Sequence, residues 1–177
     1  MKLALYGGSF DPPHAGHVAV VTEALKHLQI DQLLIVPASR NPFKELVRAE
    51  GNIRYRWLKE IFGSYPKVSI SDFEIAQHRS VYTIETVEHF AQSAEKIYLI
   101  IGADNLEKLT SWHQFTKLDA LVTWVVATRN GVAIPDRMIR LNVDVAISST
   151  DFRTSLGTLG LEAKIEHKIL SYYKEHP

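Results

Sequence analysis

At 177 residues, with 46% hydrophobic and 23% charged side chains, the chain has the size and composition of one soluble globular domain spanning residues 1–177. Such a chain buries enough surface to fold without a disulfide or a structural metal. The 20 Lys and Arg balance the 20 Asp and Glu, so the basic excess that binds nucleic acid electrostatically is missing. The absence of cysteine excludes thiol catalysis, iron–sulfur ligation and cysteine-type zinc sites, and fits a reducing, cytoplasmic location.

Lys2 to Tyr6 is an apolar run stopped by Gly7-Gly8, and it reads as a buried first strand. It is too short for a signal peptide, whose apolar core needs about 7–15 residues. No run reaches the ~20 apolar residues of a membrane span. Val18, Val21, Leu25 and Leu28 recur at helical spacing and predict a helix from Ala15 to Leu28. Gln32 to Val36 reads as a second strand, ended by Pro37. The connection from Ala38 to Gly51 is polar, carries Pro42 and Lys44, and has the length of a functional loop. Asn52 is expected to cap a helix to Phe62, with Ile53, Trp57, Leu58 and Ile61 inward. Val68 to Ile70 reads as a strand and Thr83 to Phe90 as a helix. Ile97 to Ile101 reads as an apolar strand closed by Gly102. Asp104 and Ser111 are each expected to open a short helix. Leu121 to Ala127 reads as a strand, and Ile147 as the end of the last one. A helix is expected after Thr150 and a longer one from Glu162 to Tyr173.

Strands apolar throughout, alternating with amphipathic helices, predict a doubly wound α/β fold with a parallel sheet covered on both faces. Ligands of such folds bind outside the carboxyl ends of the strands, at the switch point. The first such loop reads Gly7-Gly8-Ser9-Phe10-Asp11-Pro12-Pro13-His14-Ala15-Gly16-His17. Its glycines let a ligand approach the backbone closely. The helix that follows offers unpaired N–H groups and a partial positive charge to a phosphate. It is neither a Walker A loop nor the Rossmann G-x-G-x-x-G. His14 and His17, three apart at the helix start, can aim their rings the same way. Two structural histidines, a zinc pair lacking a visible third ligand, and a phosphate contact all remain open readings of this pair.

G-G-S-F-D-P-x-H-x-G-H resembles the signature of the nucleotidylyltransferase superfamily, the H-x-G-H family, and within it the branch of bacterial nicotinate-nucleotide adenylyltransferases. Further motifs carry the likeness across about the whole chain. Asn41-Pro42-Phe43-Lys44 resembles the family's loop lysine. Ser71-Asp72-Phe73-Glu74 followed by Tyr82-Thr83-Ile84-Glu85-Thr86 resembles its S-Y-T-I-D-T segment. Ile101-Gly102-Ala103-Asp104 with Trp112 resembles its G-A-D…W segment. Ile147-Ser148-Ser149-Thr150-Asp151-Phe152-Arg153 resembles its I-S-S-T-x-I-R signature. Val81, Asn130 and Phe152 stand where the family has serine, proline and isoleucine.

The resemblance implies a Rossmann-like nucleotidylyltransferase fold and transfer of the adenylyl group of ATP to nicotinate mononucleotide, giving deamido-NAD and pyrophosphate. The acceptor's phosphate is already largely dianionic at pH 7, so the chemistry needs no protein nucleophile. It needs alignment and donors for the α-phosphoryl and pyrophosphate oxygens. The resemblance gives that work to His14, His17, Lys44 and Arg153. It implies ATP contacts from Gly7, Gly8, Ser9, Phe10, Ile101, Gly102, Asp104, Ser148, Ser149 and Thr150 as well. Lys44, Tyr82, Thr83 and Trp112 are implied on the nicotinate mononucleotide side. Mg²⁺ is expected as cofactor, held mainly by substrate phosphates and not by a protein cage. Each of these residues also has a plainer reading: a helix cap for Asp104 or Thr83, a core ring for Trp112, a solvated lysine for Lys44, a surface ion pair for Arg153. His27, His78, His89, His113, His167 and His176 show no partner at useful spacing and read as surface or structural. Two other functions compete. One is a superfamily member with a cytidylyl donor or a phosphopantetheine acceptor; the other is a non-catalytic nucleotide-binding module. The Tyr82–Thr86 segment and Trp112 argue against the first, and the intact H-x-G-H and Arg153 against the second.

Overall fold

The computed structural model describes residues 1–39, 49–128, 131–145, 149, 152–153 and 156–176. Among these, six parallel strands form one sheet in the order β3-β2-β1-β4-β5-β6. β1 (Lys2–Gly8) lies between β2 (Gln32–Pro37) and β4 (Lys96–Gly102), with Leu5 opposite Leu34 on one side and Leu99 on the other. β3 (Val68–Ile70) extends the sheet beyond β2, and β5 (Val122–Thr128) beyond β4. The chain order reverses between β1 and β4, which puts the switch point at the carboxyl ends of those two strands.

Side chains on successive strand residues point to opposite faces, so one strand feeds two cores. Ala4 and Tyr6 of β1 meet Val21 of α1 (Ala15–His27) and Leu58 and Phe62 of α2 (Gly51–Phe62). Leu3 and Leu5 meet Ile84 and Val87 of α4 (Thr83–Ala91) and Leu118 of α5 (Phe115–Leu121) on the other face. A third cluster joins Trp57 of α2 to Phe152, Leu159 and the inward face of the C-terminal helix α6 (Ala163–Glu175), namely Ile165, Ile169 and Tyr173. Each such fully buried apolar side chain contributes roughly 1.5–3 kcal/mol over its exposed state.

Several boundaries differ from the sequence expectation. Asn52 is not a cap: the Glu50 carbonyl accepts the first helical bonds from Ile53 and Arg54, both at 3.1 Å, so the helix has begun at Gly51. Asp104 and Ser111 do not open separate helices. One 3₁₀ helix runs from Ala103 to Ser111 with Gly102 as its cap residue, and Ser111 ends it by donating to the Lys108 carbonyl at 2.6 Å. α5 starts only after Gln114, which turns the chain through the left-handed region at φ 51°. A short helix α3 (Phe73–Ala76) and an edge strand β6 (Ile139–Asn142) escape the sequence reading, since four residues carry too little periodicity. The expected strand end at Ile147 and helix start at Thr150 lie outside the described residues.

Candidate active site

The loop after β1 owes its shape to the residues packed around it. Phe10 adopts φ 48° in the left-handed region and is buried, 2% exposed. A Cβ on Gly8 would lie 3.1 Å from two carbons of the Phe10 ring, so glycine at this position lets the ring pack beneath the turn. The turn is held from below. Asp11, 3% exposed, accepts from the Ala49 N–H at 3.0 Å and from the Tyr173 hydroxyl. Arg54 is wholly buried and donates to the carbonyls of Ser9 at 2.6 Å, Ala38 at 2.7 Å, Ser39 at 3.3 Å and Ala49 at 2.8 Å. Arg153 donates from Nη1 to the Asp11 carbonyl, and the Ser149 hydroxyl to the Pro12 carbonyl at 2.8 Å.

His14 is the N-cap of α1. Its Nδ1 accepts from the Gly16 N–H at 3.0 Å, and its own N–H donates to His17 Nδ1 at 3.1 Å. The two rings stack with centroids 3.8 Å apart, and Phe10 meets His17 edge-on. Because both Nδ1 atoms accept, the proton of each neutral ring sits on Nε2. Burial pushes His14 down to about 4, so at neutral pH it is an uncharged ring. The pair therefore serves as a helix cap and as two oriented N–H donors at once.

A cleft of about 610 Å³ opens at the switch point. Gly7, Gly8, Ser9, Phe10 and His17 form its α1 wall, with Ser149 beside them. Ile101, Gly102 and Asp104 line it at the end of β4. Tyr82, Thr83 and Trp112 line the wall contributed by α4 and the turn after the 3₁₀ helix. The structure thus brings twelve of the expected site residues to one cavity. His14 is 7% exposed, behind His17, and neither it nor Arg153 lines the cleft, although both touch the loop that does. Lys44, Ser148, Thr150 and the departure Asn130 lie outside the described residues.

Local geometry explains the remaining placements. A Cβ on Gly102 would come within 2.5 Å of Asp104 Oδ1, so glycine lets that carboxylate fold back over the strand end. Tyr6, also in the cleft wall, is held protonated well beyond the usual tyrosine range by burial and then by the Asp104 charge. At the start of α4 the Tyr82 N–H donates to Glu85 Oε1 at 2.9 Å, and Arg79 pairs with Glu85 Oε2 at 2.6 Å. Trp112 meets Trp124 edge-on at 6.2 Å and keeps its other side toward the cavity. Val81 is buried in the cleft wall, and Phe152 packs on Tyr173.

Two further lining residues, given no role by the sequence, bear on the chemistry of the α4 wall. His113, expected to be surface or structural, lines the cleft and stacks on Tyr82 with centroids 4.2 Å apart. Its adjacency to Trp112 was the available signal. Glu74, only 9% exposed, lines the same cleft, and the Thr86 hydroxyl donates to its Oε1 at 2.6 Å. Burial holds Glu74 above the usual carboxylate range.

A parallel sheet with its strand order reversed beside a glycine turn and a helix N-terminus defines a nucleotide-binding α/β protein. The cytidylyltransferase-like family matches residues 5–155, and the chain belongs to that family, among its nicotinate-nucleotide adenylyltransferases. It is 47% identical to a probable nicotinate-nucleotide adenylyltransferase of Sulfurimonas denitrificans, over 98% of this chain and 95% of the relative. A protein of the same name from Campylobacter jejuni is 46% identical, over 99% of this chain and 98% of the relative. Among solved structures, nicotinic acid mononucleotide adenylyltransferase of Plasmodium falciparum complexed with NaAD superimposes with a TM-score of 0.73 at 20% identity. It covers 98% of this chain and 95% of that one, and supports the fold alone.

Proposed function

We propose that this single domain transfers the adenylyl group of ATP to nicotinate mononucleotide, with ATP at the α1 and β4 wall of the cleft and the mononucleotide at the α4 wall. The observation that carries the reading is their continuity: the glycine turn with His17, the end of β4 and the start of α4 line one cavity. A phosphate oxygen of the mononucleotide attacks the α-phosphorus of ATP. The bond from that phosphorus to the bridging oxygen breaks, and pyrophosphate leaves with the electron pair. The attacking group is already a dianion, so the protein's work is alignment and charge stabilisation.

His17 donates from Nε2 to the phosphoryl oxygens; the N–H groups of Ala15, Gly16 and His17 are already taken by the Leu159 carbonyl, His14 Nδ1 and the His14 carbonyl, so the ring and not the helix backbone makes this contact. His14 fixes the His17 ring and adds a neutral donor at the loop. Arg153, tied to the Asp11 carbonyl, neutralises the leaving pyrophosphate; Ser148, Ser149 and Thr150, and Lys44 as a further cation, join it by resemblance to the family. Gly7, Gly8, Ser9, Phe10, Ile101 and Gly102 let the adenosine lie against backbone, and Asp104 accepts from its ribose hydroxyls. At the other wall Thr83 and the unpaired N–H groups of α4 receive the nicotinate carboxylate, and Trp112 stacks on the pyridine ring. Among the described residues no group of three or more His, Asp or Glu side chains could hold a metal ion. The donor set fits Mg²⁺ entering with ATP and held by its phosphates, where it would supply charge neutralisation on the leaving group. Among the described residues no helix is long and apolar enough to cross a membrane, which is consistent with a cytoplasmic enzyme.

The test is pyrophosphate release from ATP with nicotinate mononucleotide, nicotinamide mononucleotide, phosphopantetheine or glycerol phosphate, with and without Mg²⁺. A helix start rewards the carboxylate and leaves the amide's N–H donors unmet, an imbalance of about 1–3 kcal/mol. The acid should therefore lead the amide by about 10²-fold in kcat/KM, and the other two acceptors should be inert. Turnover with phosphopantetheine, or equal values for acid and amide, would refute the assignment of the α4 wall.

A further inference from the structure

We propose that Glu74 sets the choice between acid and amide acceptors: uncharged it admits the pyridine carboxylate, and ionised it repels that carboxylate and favours the carboxamide. This rests on the reading of the acceptor as a pyridine mononucleotide. Glu74 lies on α3, yet it lines the same cleft as Val81, Tyr82 and Thr83. It is 9% exposed, so its charge in the ionised form is screened little by water. Its one described partner is the hydroxyl of Thr86 in α4, at 2.6 Å, which ties the carboxyl to the helix whose first turn receives the acceptor. Among the described residues no cation pairs with it: Arg79 is spent on Glu85.

Chemistry then separates the two acceptors. A carboxylate on the pyridine ring meets an ionised Glu74 as a like charge in a poorly solvated wall. A carboxamide offers that same carboxylate an N–H donor. Protonation removes the repulsion and replaces an acceptor with a donor, which reverses both preferences. Burial, the larger cause, and the charge of Glu85 keep the proton on Glu74 above the ordinary carboxylate range, while the Thr86 bond acts in the opposite sense. The sign follows: acid preference is greatest at low pH and declines as pH rises through the folded pKa of Glu74.

Other charged groups around α3 have to be separated from Glu74. α4 contributes Glu85 and His89, the latter stacked on Phe73 at 4.1 Å. The cleft contributes Tyr82 and His113 on the α4 side and Tyr6, His17 and Asp104 on the α1 and β4 side, and α3 is itself capped by Asp72. On the α2 side stand Glu50 and Arg54, with Arg54 committed to four carbonyls. β2 supplies no titratable side chain. His113 is the serious competitor, because a protonated imidazole in the cleft would favour the acid with the same pH sign.

The experiment measures the ratio of kcat/KM for nicotinate mononucleotide over nicotinamide mononucleotide from mildly acidic to mildly alkaline pH. The acceptor phosphate titrates identically in both substrates and cancels in the ratio. The wild-type ratio should fall by about tenfold as pH rises, the effect of a like-charge repulsion near a protein surface. In Glu74→Gln it should stay flat at the acidic wild-type value, and in His113→Gln the fall should persist. Thr86→Val removes the bond that favours the charged form, so the midpoint of the fall should move to higher pH. A pH-independent wild-type ratio, an unchanged fall in Glu74→Gln, or its loss in His113→Gln would overturn the proposal. Absence of pyrophosphate from either acceptor would overturn the functional reading, and the proposal with it.

Discussion

The capping role of His14 makes acid sensitivity a quantitative test of the site. Nδ1 of His14 accepts from the Gly16 N–H, and burial holds the ring neutral, with its pKa pushed down to about 4. In the unfolded chain the same ring titrates near ~6.5. Between these values the unfolded state binds the extra proton, so stability rises with pH there and falls as pH is lowered from about 6.5 toward 4. At 1.36 kcal/mol per unit, the cost when both states are compared below that window is ~2–4 kcal/mol. His14→Asn isolates the effect. Asparagine is a favoured N-cap whose side-chain oxygen can accept the same Gly16 N–H, and it carries no titrating group. Urea unfolding of both proteins across this pH range should give curves that converge on acidification. The variant should gain ~2–4 kcal/mol on the wild type over the window. Carboxylates that titrate in the same range are common to both proteins and drop out of the difference. A wild-type-minus-variant difference that stays constant with pH would show that His14 is not held neutral by the fold, and that its Nδ1 bond is not the one described.

His17→Ala should lower turnover by about 10²–10³-fold, as for loss of a donor to a developing oxyanion. It should also cost about 1 kcal/mol of stability, since His17 Nδ1 accepts the His14 N–H; denaturant midpoints and steady-state rates measure the two separately. Gly102→Ala puts a methyl group 2.5 Å from Asp104 Oδ1 and must displace that carboxylate. KM for ATP should rise by about tenfold, the value of a hydrogen bond to a charged group, with kcat little changed; an unaltered KM would remove Asp104 from the ribose.

What could be read from the sequence was local, and what could not be read connects distant parts of the chain. The glycine turn, the H-x-G-H pair and Gly102 announce themselves because turn, helix start and strand end are adjacent in sequence, and the sheet then brings β1 and β4 together. Glu74 and His113 gave only a weaker signal, the one by closing the Ser71-Asp72-Phe73-Glu74 motif and the other by following Trp112. A carboxylate in a four-residue helix and an imidazole after a tryptophan have no periodicity, and only the tertiary fold puts them in one wall. The same holds beneath the loop. Arg54 falls in an amphipathic helix where arginine is normally solvated, yet it is fully buried. A buried guanidinium is costly unless its donors are met, and here four carbonyls meet them, with Asp11 supplying the opposing charge. Asp11 is in turn held by the hydroxyl of Tyr173, on the last helix. The C-terminal helix thus does more than cover hydrophobic surface. It completes the polar network that fixes the Ser9 carbonyl and the Asp11 turn, so the geometry of the first loop is settled only when the last helix has docked.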